Sequence, residues 1–340
     1  LRVSRMTKVA VIGAGLSGLV VARKLAPLAD VTLYEKSRGL GGRMATRYAE
    51  QFEFDHGAQF FTARTRQFRA FIQPLIDSGV VGEWRADFAR YDRTKRVALR
   101  PWRDGTPRYV GVPRMNSVGK ALSAGLAICL GTTVTGVERR GGGWHVWHDD
   151  GAESGPFDWL VLACPSAQTA ALTSDYPALT SFCEKRRMQA CFALLLGFAD
   201  RVDLDWHVAE IRNADIRLIA VNSSKPGRSR PFTLVIHSSN SWADAHIDGH
   251  ADAVTRHLLD EASSITGKGL QRAAFRQLHR WRYANISELP GSPYYLDEDN
   301  RLAACGDWCV RGSVEAAFTS SDRLAHALVE RATLRHGNSA

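Results

Sequence analysis

The sequence predicts an α/β first domain followed by an α+β second domain that combines a β-sheet with helices. Three observations support this fold class. Val9–Ile12 is a short apolar run, typical of a strand buried on both faces, and it leads into glycines and then apolar residues at helical spacing. A second β-rich run covers Val31–Tyr34. Beyond residue 171, alternating runs such as Cys191–Phe198 and Phe232–Ser238 indicate a separate sheet.

The glycines at the first turn define a nucleotide-binding motif. Gly13, Gly15 and Gly18 form G-x-G-x-x-G between a strand and a helix, and Glu35 ends the next strand. The motif allows a tight turn, close approach of a pyrophosphate and close packing of helix on strand. Phosphates would lie at the helix N-terminus, and Glu35 would accept hydrogen bonds from a ribose. The pattern predicts a Rossmann-type dinucleotide-binding domain.

A second glycine motif follows directly and distinguishes between FAD and NAD. Residues 38–46 read R-G-L-G-G-R-M-A-T. This resembles the double-glycine motif of flavoproteins with two dinucleotide-binding domains, the amine oxidase and phytoene desaturase group. In that group the second arginine, here Arg43, meets the FAD pyrophosphate, which suits the bidentate geometry of a guanidinium. The resemblance implies FAD as the cofactor.

Composition limits the class of protein further. The 340 residues can form two domains, and the 45% hydrophobic and 23% charged content is ordinary for a globular chain. The net charge of +9 is not gathered into a basic helix or a dense Lys/Arg run, so we expect no nucleic-acid partner. No apolar run reaches about 18 residues, so we expect no membrane span. The first residues lack the apolar segment of a signal peptide, and the six cysteines show no metal spacing. We therefore expect a cytoplasmic protein without a metal site.

The order of elements suggests a discontinuous domain arrangement. A helix is predicted over Arg66–Val81, a hairpin follows Val134, and a helix spans His250–Ile265. The predicted FAD-binding domain comprises residues 1–66, 112–170 and 295–336, and the predicted substrate-binding domain comprises residues 67–111 and 171–294.

Residues 55–62 predict part of the site. They read D-H-G-A-Q-F-F-T, and a similar D-x-G stretch in the flavin amine oxidase group passes beside the isoalloxazine. Two aromatics beside the amide of Gln59 would suit a flat heteroaromatic substrate, although Phe60 and Phe61 also fit a core. Residues 279–284, H-R-W-R-Y-A, form a basic and aromatic cluster suited to stacking and to pairing with phosphates. The predicted substrate pocket is Gln59, Phe60, Phe61, Arg64, His237 and Trp281.

The C-terminal motif completes the resemblance. Residues 304–318 contain A-C-G-D-W-C and V-E-A-A-F. In these flavoproteins the aspartate, here Asp307, hydrogen-bonds the ribityl chain, and the helix at Val314 points its N-terminus at the flavin pyrimidine edge. Val134 falls where family members touch the adenine. The residues expected at the cofactor are Gly13, Ala14, Gly15, Ser17, Gly18, Glu35, Lys36, Gly42, Arg43, Met44, His56, Gly57, Ala58, Gln59, Val134, Asp307 and Val314. Cys309 does not match a known tethering motif, so we expect non-covalent FAD.

Taken together, these motifs resemble the bacterial renalase-like flavoproteins over nearly the whole chain. The resemblance implies an oxidase for the 2- and 6-dihydro isomers of NAD(P)H, with NAD(P)⁺ and hydrogen peroxide as products. Hydride transfer to flavin N5 needs no side-chain acid or base, so no catalytic residue is assigned with certainty. The expected partners are an anionic dinucleotide and O₂, and the expected state is a monomer or weak dimer.

Three alternatives stay open. A flavin-containing amine oxidase usually holds a lysine near flavin N5, but Lys225 and Lys268 lie in glycine-bearing loop sequences. A desaturase or porphyrinogen-type oxidase would need a long apolar channel, which the arginine-rich middle of the chain disfavours. A module that keeps FAD as a fixed ligand would not be reduced by any donor.

Overall fold

The computed structural model describes residues 6–101, 105–228, 231–287 and 291–337. The chain divides into two compact units. The first unit comprises Leu1–Gly42, Gly119–Met188 and Ile286–Ala340, and the second unit comprises Arg43–Val118 and Gln189–Asn285.

The regular elements run in the following order. The helices are α1 Leu16–Leu25, α2 Arg66–Asp77, α3 Ser117–Leu122, α4 Ser166–Leu172, α5 Pro177–Glu184, α6 Asn240–His246, α7 Ala251–Thr266 and α8 Val314–Gly337. The first ten strands are β1 Thr7–Ile12, β2 Ala29–Glu35, β3 Thr46–Ala49, β4 Phe52–Asp55, β5 Val81–Glu83, β6 Asp87–Asp92, β7 Lys95–Pro101, β8 Tyr109–Gly111, β9 Ala127–Leu130 and β10 Val134–Arg140. The others are β11 Gly143–His148, β12 Glu153–Phe157, β13 Trp159–Leu162, β14 Gln189–Phe198, β15 Val208–Arg212, β16 Ile216–Val221, β17 Phe232–Ser238, β18 Phe275–Asn285, β19 Tyr295–Asp297 and β20 Leu302–Ala304. Short 3₁₀ helices cover Asn222–Ser224, Leu270–Arg272 and Asp307–Cys309.

The first unit is built on a six-stranded sheet in the order β19-β20-β13-β1-β2-β9. All neighbours are parallel except β19, which runs antiparallel to β20. β1 and β13 are apolar and buried because the sheet is covered on both faces. Helix α1 packs on α8, and the Ser17 hydroxyl donates to the Ala317 carbonyl at 3.1 Å. This is the predicted α/β domain of Rossmann type, and the fold class is confirmed.

The second unit is built on a seven-stranded sheet in the order β18-β14-β17-β16-β15-β6-β7. On one face of β14, Phe192, Leu194 and Leu196 join a core that includes residues of α6 and α7. On the other face, Ala193 and Leu195 are covered by Phe52 and Phe54. Because both faces are buried, β14 reads as a continuous apolar run rather than an alternating one.

Several predicted boundaries differ from the structure. The helix predicted over residues 66–81 ends at Asp77, because Gly79 adopts a φ of +72° and its N–H returns to the Ile76 carbonyl at 2.9 Å. Residues 171–188, and those from Ile286 onward that were assigned above to the substrate-binding domain, belong to the first unit. Residues 43–66 and 112–118, assigned above to the FAD-binding domain, pack within the second unit. The β3–β4 hairpin explains this, since it lays the rings of Phe52 and Phe54 on that unit's sheet. The functional assignment of the two domains stays a prediction.

In the part of the chain that the structure describes, no helix is both long and apolar enough to cross a membrane.

Candidate functional site

The G-x-G-x-x-G turn joins β1 to α1 and has room only for glycine at two positions. Gly13 has a φ of +106° and donates its N–H to the Tyr34 carbonyl at 2.8 Å. A Cβ atom added at Gly18 would lie 1.9 Å from the Gly13 carbonyl oxygen. Side chains at these positions would therefore strain the turn and separate the helix from the strand.

The second glycine motif comes alongside the first. The Gly41 N–H donates to the Ala14 carbonyl at 3.0 Å, and a Cβ atom on Gly42 would lie 3.1 Å from the Gly15 Cα. Gly15 is the N-cap of α1, and no side chain caps the helix there. We call these two glycine segments, residues 13–18 and 41–42, the glycine cradle. An uncapped helix N-terminus beside bare backbone is a suitable place for a phosphate.

Glu35 lies at the end of β2 next to the glycine cradle. Its side chain is buried, and its two carboxylate oxygens accept the N–H groups of Ala14 and Ser37, each at 2.9 Å. Each oxygen keeps a further lone pair, so the carboxylate can also accept two ribose hydroxyls. Lys36, the next residue, is exposed.

The segment that leads to Val134 lies beside Glu35. The Thr132 N–H donates to the Glu35 carbonyl and the Gly131 N–H to the Ser37 carbonyl, both at 3.0 Å. Val134 itself begins β10 and is half-buried. The backbone contacts bring the predicted adenine-side segment to the same strand end as the predicted ribose-binding acid.

The C-terminal motif forms a buried turn ahead of α8 in the first unit. Asp307 and Cys309 are buried in a 3₁₀ turn, and the Trp308 indole N–H donates to the Cys164 carbonyl at 3.0 Å. Helix α8 begins at Val314, and the Ser313 hydroxyl accepts the Ala316 N–H at 3.1 Å. Burial raises the pKa of the Cys309 thiol well above its usual range, so this thiol is protonated and poorly reactive.

In the second unit, the residues after the double glycine pack against the D-H-G-A segment. The Arg43 carbonyl accepts the Ala58 N–H at 2.9 Å, and a Cβ atom on Gly57 would lie 1.9 Å from that same carbonyl oxygen. The Arg43 guanidinium donates to the Ala284 carbonyl at 3.0 Å, and Met44 is buried. Gly57 is thus required for this close backbone approach.

Three histidines and a tryptophan, His56, His237, His279 and Trp281, meet over one face of the second unit's sheet; we call them the histidine–tryptophan cluster. His279 and His237 both pair with Ala193 of β14, so the three residues lie in one row across the sheet. The His56 ring stacks on Trp281 with centroids 5.1 Å apart. The His56 carbonyl accepts the Trp281 indole N–H at 2.9 Å, and His237 Nε2 lies 3.2 Å from the same oxygen.

The histidine–tryptophan cluster is uncharged at neutral pH. Burial lowers the pKa of His56 to about 3 and the pKa values of His237 and His279 to about 4. Among the described residues, His56 Nδ1 and His279 Nε2 are buried without a hydrogen-bond partner. The cluster is therefore a group of neutral rings, and two of its ring nitrogens are buried and unpaired within the described part of the chain.

A second group, which we call the Asp55 cluster, consists of Asp55, Gln59, Asn222, Lys225 and Arg228. The side chains of Asp55 and Lys225 are fully buried and that of Arg228 is 1% exposed. Lys225 Nζ donates to Gln59 at 2.9 Å, to Asn222 at 3.1 Å and to Asp55 at 3.3 Å. Arg228 donates to the same carboxylate oxygen from Nε at 3.1 Å.

The charges of the Asp55 cluster do not balance. One carboxylate faces two cations, which leaves a buried excess of positive charge. Burial lowers the pKa of Lys225 to about 8, although Asp55 opposes this change. Burial alone would raise the pKa of Asp55, but Lys225 and Arg228 outweigh it and hold that pKa below its usual range.

The residues predicted for the substrate pocket occupy different environments. Gln59 is buried, and its amide donates to the carbonyls of Asp55 and Gly57 while its oxygen accepts from Lys225. Its polar atoms are thus engaged inside the Asp55 cluster. Phe61 is 5% exposed and packs between Phe68 and Tyr109, as the core interpretation of the F-F pair expected.

The other predicted pocket residues are more accessible. Phe60 is half-buried with its ring 6.3 Å from that of Trp84, and Arg64 is exposed. His237 and Trp281 lie together in the histidine–tryptophan cluster. The structure thus brings His237 and Trp281 together with His56, while Phe61 is directed into the core.

Lys225, Arg228 and Asn222 were missed by the sequence analysis. They lie in the loop after β16, read from the sequence as an ordinary glycine-bearing loop. The loop contacts Asp55 across 170 positions of sequence, and no local periodicity reports such a contact. A lysine and an arginine placed three residues apart after a buried strand were the available signal.

A further polar group was also unexpected. Asp215, His257 and Glu261 offer ligand atoms within 4.8 Å of one another. They bond to each other, since His257 lies 2.8 Å from the Asp215 carboxylate and Glu261 accepts the Asp215 N–H at 3.0 Å. The second Glu261 oxygen, Oε2, is buried without a hydrogen-bond partner among the described residues, and burial raises the pKa of this carboxyl.

Comparison with known proteins supports the fold. Residues 11–75 match the family model described as an NAD(P)-binding Rossmann-like domain. A structure of wild-type putrescine oxidase bound to putrescine matches with a TM-score of 0.67 at 13% identity, over 95% of this chain and 99% of that one. The chain has the fold of putrescine oxidase.

Two further structures share this fold. A putative protoporphyrinogen oxidase from Exiguobacterium sp. 255-15 matches with a TM-score of 0.74 at 13% identity, over 95% of this chain and 98% of that one. An oxidoreductase from Methanosarcina mazei matches with a TM-score of 0.68 at 14% identity, over 94% of this chain and all of that one. At these identities the comparisons establish the two-domain architecture, and the substrate has to be argued from the site.

Proposed function

We propose that the protein is an FAD-dependent oxidase of small molecules. The observation that carries this proposal is the buried Glu35 carboxylate beside the glycine cradle. The cradle has the bare backbone and uncapped helix N-terminus that a pyrophosphate needs, and Glu35 keeps acceptor capacity for a ribose. Gly13, Gly15, Gly18 and Glu35 would hold the ADP portion, and Asp307 and Val314 would meet the ribityl chain and the pyrimidine edge.

FAD, when bound, supplies the redox chemistry by taking a hydride at N5 and passing the electrons to O₂. The protein residues then have to position the donor and exclude competing reactions. We propose that His56, His237 and Trp281 provide neutral aromatic contacts for the ring of the donor. Cys309 is too deeply buried and too weakly acidic to tether the cofactor, which supports non-covalent binding.

For the substrate we propose a 2- or 6-dihydro isomer of NAD(P)H. A dihydropyridine ring is nearly flat and becomes an aromatic pyridinium when it loses a hydride, which suits contact with the uncharged histidine–tryptophan cluster. The buried excess of positive charge in the Asp55 cluster favours an anionic donor over a cationic one. Hydride transfer from this donor requires no general base, which matches histidines that are already neutral.

The decisive experiment is anaerobic mixing of the purified flavoprotein with a panel of donors while flavin absorbance is followed. The panel contains 2-dihydro-NAD, 6-dihydro-NAD, ordinary NADH, putrescine and protoporphyrinogen. We expect rapid bleaching by the two isomers alone, and peroxide on admission of air. Bleaching by none of the panel would reject the oxidase proposal and favour a module that keeps FAD as a fixed ligand.

A second candidate function, amine oxidation, is favoured by Lys225. Amine oxidases of the group that the sequence resembles hold a lysine near flavin N5, and Lys225 is fully buried and bonded to Gln59. Against it, the Lys225 ammonium already serves three acceptors, and two adjacent cations would repel a protonated amine. Bleaching by putrescine, with loss of that bleaching in Lys225→Met, would establish amine oxidation instead.

The cytoplasmic location, O₂ as electron acceptor and the monomer or weak dimer remain predictions. Peroxide released on admission of air tests the acceptor. Light scattering of the holoprotein tests the oligomeric state.

A further inference from the structure

Arg186 is a buried cation for which the described part of the chain provides no carboxylate partner. The residue follows α5 in the first unit and is 7% exposed. One guanidinium nitrogen, Nη1, donates to the Phe182 carbonyl at 2.9 Å. The Nε atom is buried without a hydrogen-bond partner among the described residues, and the guanidinium carbon lies 3.5 Å from the centroid of the Phe182 ring.

A purely structural role explains only part of this arrangement. Arg186 caps the C-terminal end of α5, where the helix dipole supplies about half a negative charge, and it stacks on Phe182. After these contacts about half of the positive charge of Arg186 is not balanced by negative charge, and its Nε–H has no acceptor among the described residues. A buried charge without a counter-charge is costly, so an anion that is absent from the protein chain itself would stabilise the site.

Arg186 lines a cavity of about 580 Å³ whose other walls suit such an anion. Lys185 adds a second cation, Ser181 adds a hydroxyl, and the rings of Phe182 and Tyr295 stand 5.5 Å apart. The remaining guanidinium nitrogen, Nη2, can donate to one oxygen of such a group, and the Lys185 ammonium can donate to another. Two cations that face one group match a phosphate, which carries up to two negative charges, better than a carboxylate, which carries one.

We propose that this cavity is a phosphate-binding site for a nucleotide, with Arg186 and Lys185 on the phosphate and Phe182 and Tyr295 beside the nucleoside. The residues that line it lie on α5, on the segment that follows α5 and at or just before the start of β19, and none of them belongs to the glycine cradle. It does not depend on which donor reduces the flavin.

Binding of inorganic pyrophosphate and of ADP to the FAD-saturated protein, measured by calorimetry, tests the proposal without any turnover. Saturation with FAD keeps the glycine cradle occupied, and failure to take up FAD would be seen separately in the absorbance. We expect both ligands to bind the wild-type protein. Arg186→Gln should weaken both at least about tenfold, because it removes a charge-assisted hydrogen bond and one of the two cations at the site.

Arg187→Gln is the matched control, since Arg187 is the next residue, carries the same charge and is exposed. It should leave both affinities unchanged. Arg186→Gln should also keep or raise the melting temperature, because it removes an uncompensated buried charge. The proposal is overturned if pyrophosphate and ADP do not bind, if they bind Arg186→Gln as tightly as wild type, or if adenosine or succinate binds as well as they do.

Discussion

Glu35 is the single side chain on which FAD binding should depend most directly. Glu35→Gln keeps the shape but replaces one acceptor with a donor that would face the N–H of Ala14 or Ser37. We expect FAD affinity to fall about 10- to 100-fold, because hydrogen bonds to a charged group contribute about 1.5–3 kcal/mol. Quenching of flavin fluorescence on titration measures the dissociation constant.

The exposed Glu83 provides a control for the loss of one negative charge. Glu83→Gln should bind FAD as the wild type does. Equal affinities in wild type and Glu35→Gln would show that this carboxylate does not meet the ribose.

The Asp55 cluster predicts an order of stabilities. Asp55→Asn leaves Lys225 and Arg228 as buried cations without a counter-charge, so it should cost about 3–5 kcal/mol. Lys225→Met keeps the pair of Asp55 and Arg228 and loses the bonds from Lys225 to Gln59, Asn222 and Asp55, so it should cost roughly 1–3 kcal/mol. Urea unfolding of the two variants measures the difference.

Lys268→Met serves as a control because Lys268 pairs with an Asp203 that is 99% exposed. It should change the free energy of unfolding by less than about 0.5 kcal/mol. If Lys225→Met proved as destabilising as Asp55→Asn, the cluster would not be organised around the carboxylate.

These two sites also show how far single residues could be predicted. Glu35 and the glycines lie within one short stretch of sequence, so a strand–turn–helix–strand pattern is enough to place them close together. Asp55 and Lys225 are brought together by pairing between distant segments, and their sequence neighbours are unremarkable. The sequence therefore predicted the proposed nucleotide contacts but missed the buried lysine.

At the level of elements, Gly197 determines how the β3–β4 hairpin covers the second sheet. A Cβ atom on Gly197 would lie 2.7–2.8 Å from ring atoms of Phe52. That ring is held by Phe54 and Phe275, so it has little room to move. We expect Gly197→Ala to cost about 1–3 kcal/mol through overpacking, measured as a shift in the urea midpoint.

Gly136→Ala is the matched control on another strand. The nearest atom to its added Cβ would be 3.7 Å away, which is an ordinary contact. This variant should be neutral or stabilised by up to about 1 kcal/mol, because alanine restricts the unfolded chain. Equal costs at the two positions would mean that the close contact with Phe52 has no energetic consequence.

Helices and strands were predicted correctly where the apolar residues of one continuous segment recur with a helical or strand period. Helix α7 was predicted over residues 250–265 and spans Ala251–Thr266. Strand β15 was not predicted, because its sequence V-A-E-I-R is too short to show a clear pattern. Its strand conformation depends on pairing with β6 and β16. Residues 279–284 were interpreted as a basic and aromatic cluster, and the structure places them in β18, an edge strand whose residues are half-buried or exposed.

At the level of the whole molecule, composition predicted an ordinary globular protein, and hydrophobic patterning predicted two different sheets. The sequence did not predict which residues belong to which of the two units. Residues 43–66 continue directly from the nucleotide-binding motif, so sequence adjacency placed them with it. In the structure they pack with the second unit, because burial of the rings of Phe52 and Phe54, worth about 1.5–3 kcal/mol each, is satisfied by that unit's sheet.

The free energy of unfolding of the whole chain should decrease as the pH is lowered from about 6.5 to 4. His56, His237 and His279 have folded-state pKa values of about 3, 4 and 4, below the ordinary 6.5. In this range the unfolded chain binds protons that the folded chain cannot, so each histidine removes stability as pH falls, by up to about 1.4 kcal/mol per pH unit.

Urea midpoints at pH 7.5, 6.5, 5.5 and 4.5, at one ionic strength and FAD content, measure the slope. His279→Phe should flatten it by about one proton. A midpoint that stays constant from pH 6.5 to 4.5 would mean that these histidines are not buried in their neutral form, and the argument for an uncharged ring-binding surface would fail with it.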